Sequence, residues 1–196
     1  MISPTVIPER ATEGIFSLLL IATAARVVAI SGDSSNRDGS SDMPRITNDQ
    51  ELRAALDRLS IEDQRTIGLL FAGNIKIPKM SPALQKALDL ALDADNGDQE
   101  RELAYKTAKS VAANTYTACG RDTDWEAQAE HFVAAACSAA LAPEAKLMPA
   151  TDPAWRSAVQ SRMANNCLMM ESAISEVRNE AQKQYEICEE FLQALG

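Results

Sequence analysis

Residues 163–195, MANNCLMMESAISEVRNEAQKQYEICEEFLQAL, carry two interleaved seven-residue repeats: Met163, Met170, Val177, Gln184 and Phe191 alternate with Cys167, Ile174, Ala181, Cys188 and Leu195. Seven residues are close to two helical turns, so these positions fall along one stripe and make a seam for lengthwise packing on another helix. The reading predicts an all-α fold. Traced back to Asp152-Pro153, where a helix can start, the pattern describes one long C-terminal helix. Unbroken to Leu195 it would measure about 65 Å at 1.5 Å per residue, more than the width of a compact domain of this size. It therefore bends or breaks near Asn165-Asn166, or it projects and pairs with a second copy of itself, Gln184 acting as a polar register mark.

Upstream, the punctuation is that of a six- or seven-helix bundle. Thr47 with Gln50 makes a capping box for a helix through Leu59, and Ser60 with Asp63 opens another to about Asn74. KIPKM at 76–80 is a break, after which Ser81-Pro82 starts a helix with Leu84, Leu88, Ala91 and Leu92 on one face. Asn96-Gly97 ends it, Asp98 caps a helix to Cys119, and Thr123 with Glu126 boxes a helix from Asp124 to Ala142. These last two are rich in small residues, which predicts a hairpin packed closely on the final helix.

The chain divides into an apolar N-terminal helix within residues 1–30, a Ser/Asp/Gly tract at 31–45 and a bundle domain over 46–196. The tract is a linker or a long surface loop, so 1–196 can also be one domain. Gly14 to Ile30 is strongly apolar, but Glu9 and Glu13 precede it in place of a basic region and Arg26 interrupts it. It reads as a helix buried in the fold, with a targeting segment as the lesser reading, and it is short for a membrane span. No membrane partner is expected.

The net charge of -9 is uneven: ten acids face nine bases over residues 1–80, and eighteen acids face ten bases over 81–196. Such a surface repels phosphates, so no nucleic acid partner is expected. The four cysteines, Cys119, Cys137, Cys167 and Cys188, are widely spaced in helical segments with no C-x-x-C pair, which suits free buried thiols in a reducing, cytoplasmic setting.

Catalytic patterns are missing from the sequence. His131 is the one histidine, and position 128 is Gln, so the E-x-x-H motif of a carboxylate-bridged metal bundle is not met. Asp93, Asp95 and Asp98 surround Asn96-Gly97, but a calcium loop beginning at Asp93 would set Ala104 where the bidentate Glu belongs. No cofactor and no metal are expected, and the chain does not read as an enzyme. A bundle enzyme using carboxylates or cysteines is the third-ranked reading.

The first-ranked reading is protein binding through an acidic surface: Asp93, Asp95, Asp98, Glu100 and Glu102, extended by Asp122, Asp124, Glu126 and Glu130, would capture a basic protein partner. A stoichiometric, immunity-type inhibitor is the specific form, by analogy with other small acidic helical inhibitors alone. The second is an assembly protein that homodimerises through its C-terminal helix.

Overall fold

A computed structural model describes residues 45–93, 95–116, 124–147, 152–171 and 179–196. The N-terminal helix and most of the 31–45 tract, together with Cys119, Asp122, Ile174 and Val177, lie outside them. The fold is all-α. Among the described residues seven helices follow in order: α1 Asp49–Leu56, α2 Ile61–Asn74, α3 Pro82–Leu92, α4 Asp98–Tyr116, α5 Trp125–Ala140, α6 Pro153–Glu171 and α7 Glu180–Leu195, with a 3-10 turn at Glu144–Lys146 between α5 and α6.

Local chemistry sets the helix starts. Ser60 Oγ accepts from Asp63 N at 3.1 Å, Ser81 Oγ from Leu84 N at 3.3 Å, and Asp124 Oδ1 from Ala127 N at 2.9 Å. Each satisfies an amide that the first helical turn leaves without a partner. Three expected caps differ. In α1 the box is shifted by one residue: Asn48 accepts from Glu51 N, and Glu51 reaches back to Thr47 N at 2.7 Å, because Asn caps at least as well as Thr and a Glu three residues on completes the box. At α4 the reciprocal contact is Glu100 Oε2 accepting from Gly97 N at 3.1 Å, so Asp98 is the first helical residue. At α5 the proposed box partner Glu126 is engaged elsewhere.

The helices enclose two apolar clusters that share α2 and α6 as walls. Leu69 and Ala72 of α2 join Leu84 and Leu88 of α3, Ala104 and Ala108 of α4, Val133 and Cys137 of α5, and Ala164 and Cys167 of α6. The opposite side of α2, with Ile67 and Phe71, meets Leu52 and Leu56 of α1, Ala154 and Ala158 of α6, and Tyr185, Cys188 and Phe191 of α7.

Between the clusters α2, α5 and α6 come into close approach at Gly68. A Cβ there would lie 3.0 Å from Ala140 Cβ, 3.3 Å from Ser157 Cβ and 3.4 Å from Ala154 Cα. Ser157 Oγ donates to Gly68 O at 2.6 Å in the same place. The inner stripe of α6 is built of small residues, Ala154, Ser157, Ala158, Ser161 and Ala164, all buried. α5 answers with Ala129, Ala136 and Ala140. Small side chains let helix axes approach to the short end of the usual range, and α5 on α6 is the most extensive helix pair.

This packing revises the reading of the C-terminal segment. α6 passes through Asn165-Asn166 without interruption to Glu171, and a separate helix opens at Glu180, where Asn179 accepts from Gln182 N at 3.2 Å from a non-helical backbone. Within α7 the seam holds: Gln184, Cys188 and Phe191 are buried. Within α6 it does not, since of its three members only Cys167 is buried while Met163 and Met170 are 40% and 64% exposed. The inner face of α6 has no room for unbranched four-atom side chains, and they are turned outward. Met169, off the seam, is half-buried and accepts from Asn165 Nδ2 at 3.7 Å.

Cys137, Cys167 and Cys188 are buried, and burial pushes the Cys137 and Cys188 thiols up to about 12. Neutral thiols are poor nucleophiles.

Three outcomes follow for urea unfolding. Gly68→Val should lower stability by about 2–3 kcal/mol through overpacking, whereas Gly68→Ala should be near neutral, the better helix propensity of Ala, about 1 kcal/mol, being offset by the contact with Ala140. Ser157→Ala should remove about 1 kcal/mol.

Candidate functional site

The α3–α4 corner is a tight turn held by its own side chains. Asp93 ends α3 and its Oδ1 accepts from Asp95 N at 3.1 Å, while Asn96 Nδ2 donates to Leu90 O at 3.0 Å, satisfying a terminal carbonyl of α3. Glu100 folds back onto Gly97. With those bonds made inside the turn, the carboxylates of Asp93, Asp95 and Asp98 stand on the exposed side of the corner. Asp98 is fully exposed, with Arg101 Nη1 3.8 Å away. Arg101 sits closer to Glu62, at 2.9 Å, and Glu62 also pairs with Arg65, so most of the local positive charge is drawn to the α2 side. Glu102 pairs with Lys106 at 2.8 Å, and this hydrogen bond holds its carboxyl below the usual range. Asp93 and Asp95 form no ion pair with a described residue.

The proposed extension of this surface is a separate structure. Glu130 Oε1 accepts from Ser81 N at 3.1 Å, at the start of α3, whereas Asp93 closes the other end of that helix. One α3 length, about 16 Å by its rise, therefore separates the two acidic groups. Glu126 Oε1 accepts from Lys79 N at 2.8 Å, with Lys79 Nζ 3.7 Å from the other oxygen, and Asp124 is spent capping α5. Glu126 and Glu130 thus clamp the KIPKM connection to α5. The two acids sit four residues apart on one face of α5, at the spacing that lets both reach the same passing strand of chain. Asp122 lies outside the described residues.

His131 is held between helices, its Nδ1 2.8 Å from Ala112 O of α4 and its ring edge-on to Phe132. Among the described residues no three His, Cys, Asp or Glu side chains converge as a metal site, and no helix is long and apolar enough to cross a membrane.

The densest polar constellation was not legible as a site from the sequence. Arg162 of α6 donates to both oxygens of Asp49 at 2.8 Å and to Gln184 Oε1 at 2.7 Å, and Tyr185 hydroxyl donates to Asp49 at 2.7 Å. The Arg162 hydrogen bonds hold the Asp49 carboxyl below its ordinary range. The guanidinium groups of Arg53 and Arg162 lie 4.9 and 5.4 Å from the Trp155 ring centroid, within cation–π range. Fully buried Gln184 donates to Ala158 O at 2.9 Å. One turn earlier, Glu180 is 8% exposed and accepts from Asn74 Nδ2 at 3.1 and 3.2 Å. The network ties α7 to α1, α2 and α6. Gln184 joins α7 to α6 within the chain through Arg162 and the Ala158 carbonyl. Arg162 and Asp49 gave no signal because their positions, 113 residues apart, carry no pattern that joins them.

Comparison with protein-family models, curated proteins and solved structures gives no match for this chain.

Burial pushes the Glu180 carboxyl up from 4.5 to about 7, against the opposing hydrogen bonds from Asn74 and Gln184. The folded state therefore binds this proton more tightly than the unfolded chain. The contribution of Glu180 is most favourable below about pH 4.5, is lost as pH rises towards 7 and stays lost above it. Glu180→Gln, which keeps an acceptor for Asn74, should raise stability at pH 8 by on the order of 2–3 kcal/mol and flatten the decline between those pH values. Thermal melts of both chains across pH 4 to 8 measure it, and parallel curves would show that Glu180 titrates normally.

Proposed function

We propose that the chain is a protein-binding module whose α3–α4 corner captures a basic protein partner, in the manner of a stoichiometric, immunity-type inhibitor that masks a cationic site. The observation that carries this reading is the corner itself: Asp93, Asp95 and Asp98 are exposed on a turn whose backbone bonds are already made, and the nearest arginine is directed to Glu62. An acidic turn held by its own hydrogen bonds, with Arg101 only at 3.8 Å from Asp98, meets a cationic surface with little ordering cost. The overall charge of -9 adds long-range steering, which speeds encounter with a positive partner and weakens as salt rises. Glu102 flanks the turn, while Glu126 and Glu130, already engaged with backbone amides, are left out of the contact.

The test is charge reversal with Asp95→Lys, Asp98→Lys and Glu102→Lys combined. These positions are exposed, so circular dichroism should retain the helical signal. Used as bait in cell extract from the native organism, the parent chain should retain a basic protein that the variant loses, with parent capture falling as salt rises. Equal capture by both chains would refute the corner as the binding site.

A further inference from the structure

The outward face of α6 has a pattern of its own. Arg156, Val159, Met163, Asn166 and Met170 follow one another at intervals of three, four, three and four residues, the spacing of a helix-pairing seam. Arg156, Met163, Asn166 and Met170 are exposed, while Val159 and its neighbour Gln160 are half-buried at the edge of the stripe. Met163 and Met170 are two of only four large apolar side chains that stand exposed among the described residues.

We propose that a second copy of this chain docks antiparallel on this stripe, about a two-fold axis passing through Met163. The stripe is self-complementary about that residue. Gln160 and Asn166 lie three residues to either side of it, so the axis brings the Gln160 amide of each copy to the Asn166 amide of the other. Arg156 and Met170 lie seven residues to either side, which lays the aliphatic stem of one copy's arginine over the other's methionine. Glu171, exposed at the end of α6, then faces the guanidinium of Arg156 from the other copy. Neither Arg156 nor Glu171 forms an ion pair with a described residue of its own chain. A parallel pairing would instead set Arg156 against Arg156 and Glu171 against Glu171, and like charges in register disfavour it. Isologous contact of this kind closes at two copies. The stripe is short and partly polar, so the contact belongs with small, weak interfaces. It is independent of the acidic corner and does not depend on that reading.

Sedimentation velocity from low micromolar to near-millimolar concentration should show a reversible monomer–dimer equilibrium. Met163→Asp, which sets two carboxylates against each other at the axis, should weaken it at least about tenfold. Arg156→Glu should weaken it several-fold, and adding Glu171→Arg to that chain should bring the affinity back towards the parent's. Mild oxidation of a Met163→Cys chain should give a covalent dimer, because a residue on the axis meets its own copy, while Ala113→Cys on exposed α4 should not. A monomer at every concentration would overturn the proposal and leave the stripe to a different occupant, and a dimer indifferent to Met163→Asp would overturn it equally. Failure of the charge swap to restore affinity would overturn the antiparallel register.

Discussion

The fold depends on the near-contact of three helix backbones at Gly68. At that point α2, α5 and α6 would hold even a Cβ on α2 in tight contact, 3.0 Å from Ala140 Cβ, and leave no room for a larger side chain, while Ser157 bonds to the Gly68 carbonyl across the gap. A close-packed interior tolerates little volume change, so this triple junction fixes the axis distances of all three helices together. The two apolar clusters then grow from its two sides. α3 and α4 cover one, and α1 and α7 cover the other, each seated on a surface whose shape the junction has already set.

The second side is held differently from the first. α3 and α4 pack through Leu and Ala side chains, with Glu126 and Glu130 pinning the connecting segment by its amides. α7 combines three buried side chains, Tyr185, Cys188 and Phe191, with a chain of polar contacts running from Asn74 through Glu180 and Gln184 to Arg162 and Asp49. Apolar packing sets how strongly a helix adheres, and directional hydrogen bonds to buried groups set where along its length it sits. Glu180 makes that register sensitive to protonation, since the same burial that orders the carboxyl also opposes its charge.

Much of the secondary structure was readable in the chain because its signals are local. Ser60, Ser81 and Asp152 cap the helices they were expected to cap, since an oxygen two or three residues before a free amide has few other places to go. The misreadings came where two residues compete for one role or where a partner arrives from far away. Asn48 displaced Thr47 as a neighbouring cap of equal merit, and Glu126 was taken from its box by the amide of Lys79. The exposed acids at 93, 95 and 98 were identifiable as one corner because they are adjacent in sequence. Their supposed continuation at 124–130 was not, because the length of α3 lies between them.

By itself the sequence determined that this chain is a bundle of helices with an acidic surface and buried thiols, because helical periodicity, capping chemistry and net charge are properties of neighbouring residues. Only the tertiary structure decided which face of α6 is inside. The heptad pattern nominated Met163 and Met170, but an approach set by Gly68, Ala140 and Ser157 admits only small side chains, so the methionines went to the surface and the alanines and serines to the core. Periodicity says which residues share a face, and the distance to the next backbone says whether that face can be buried.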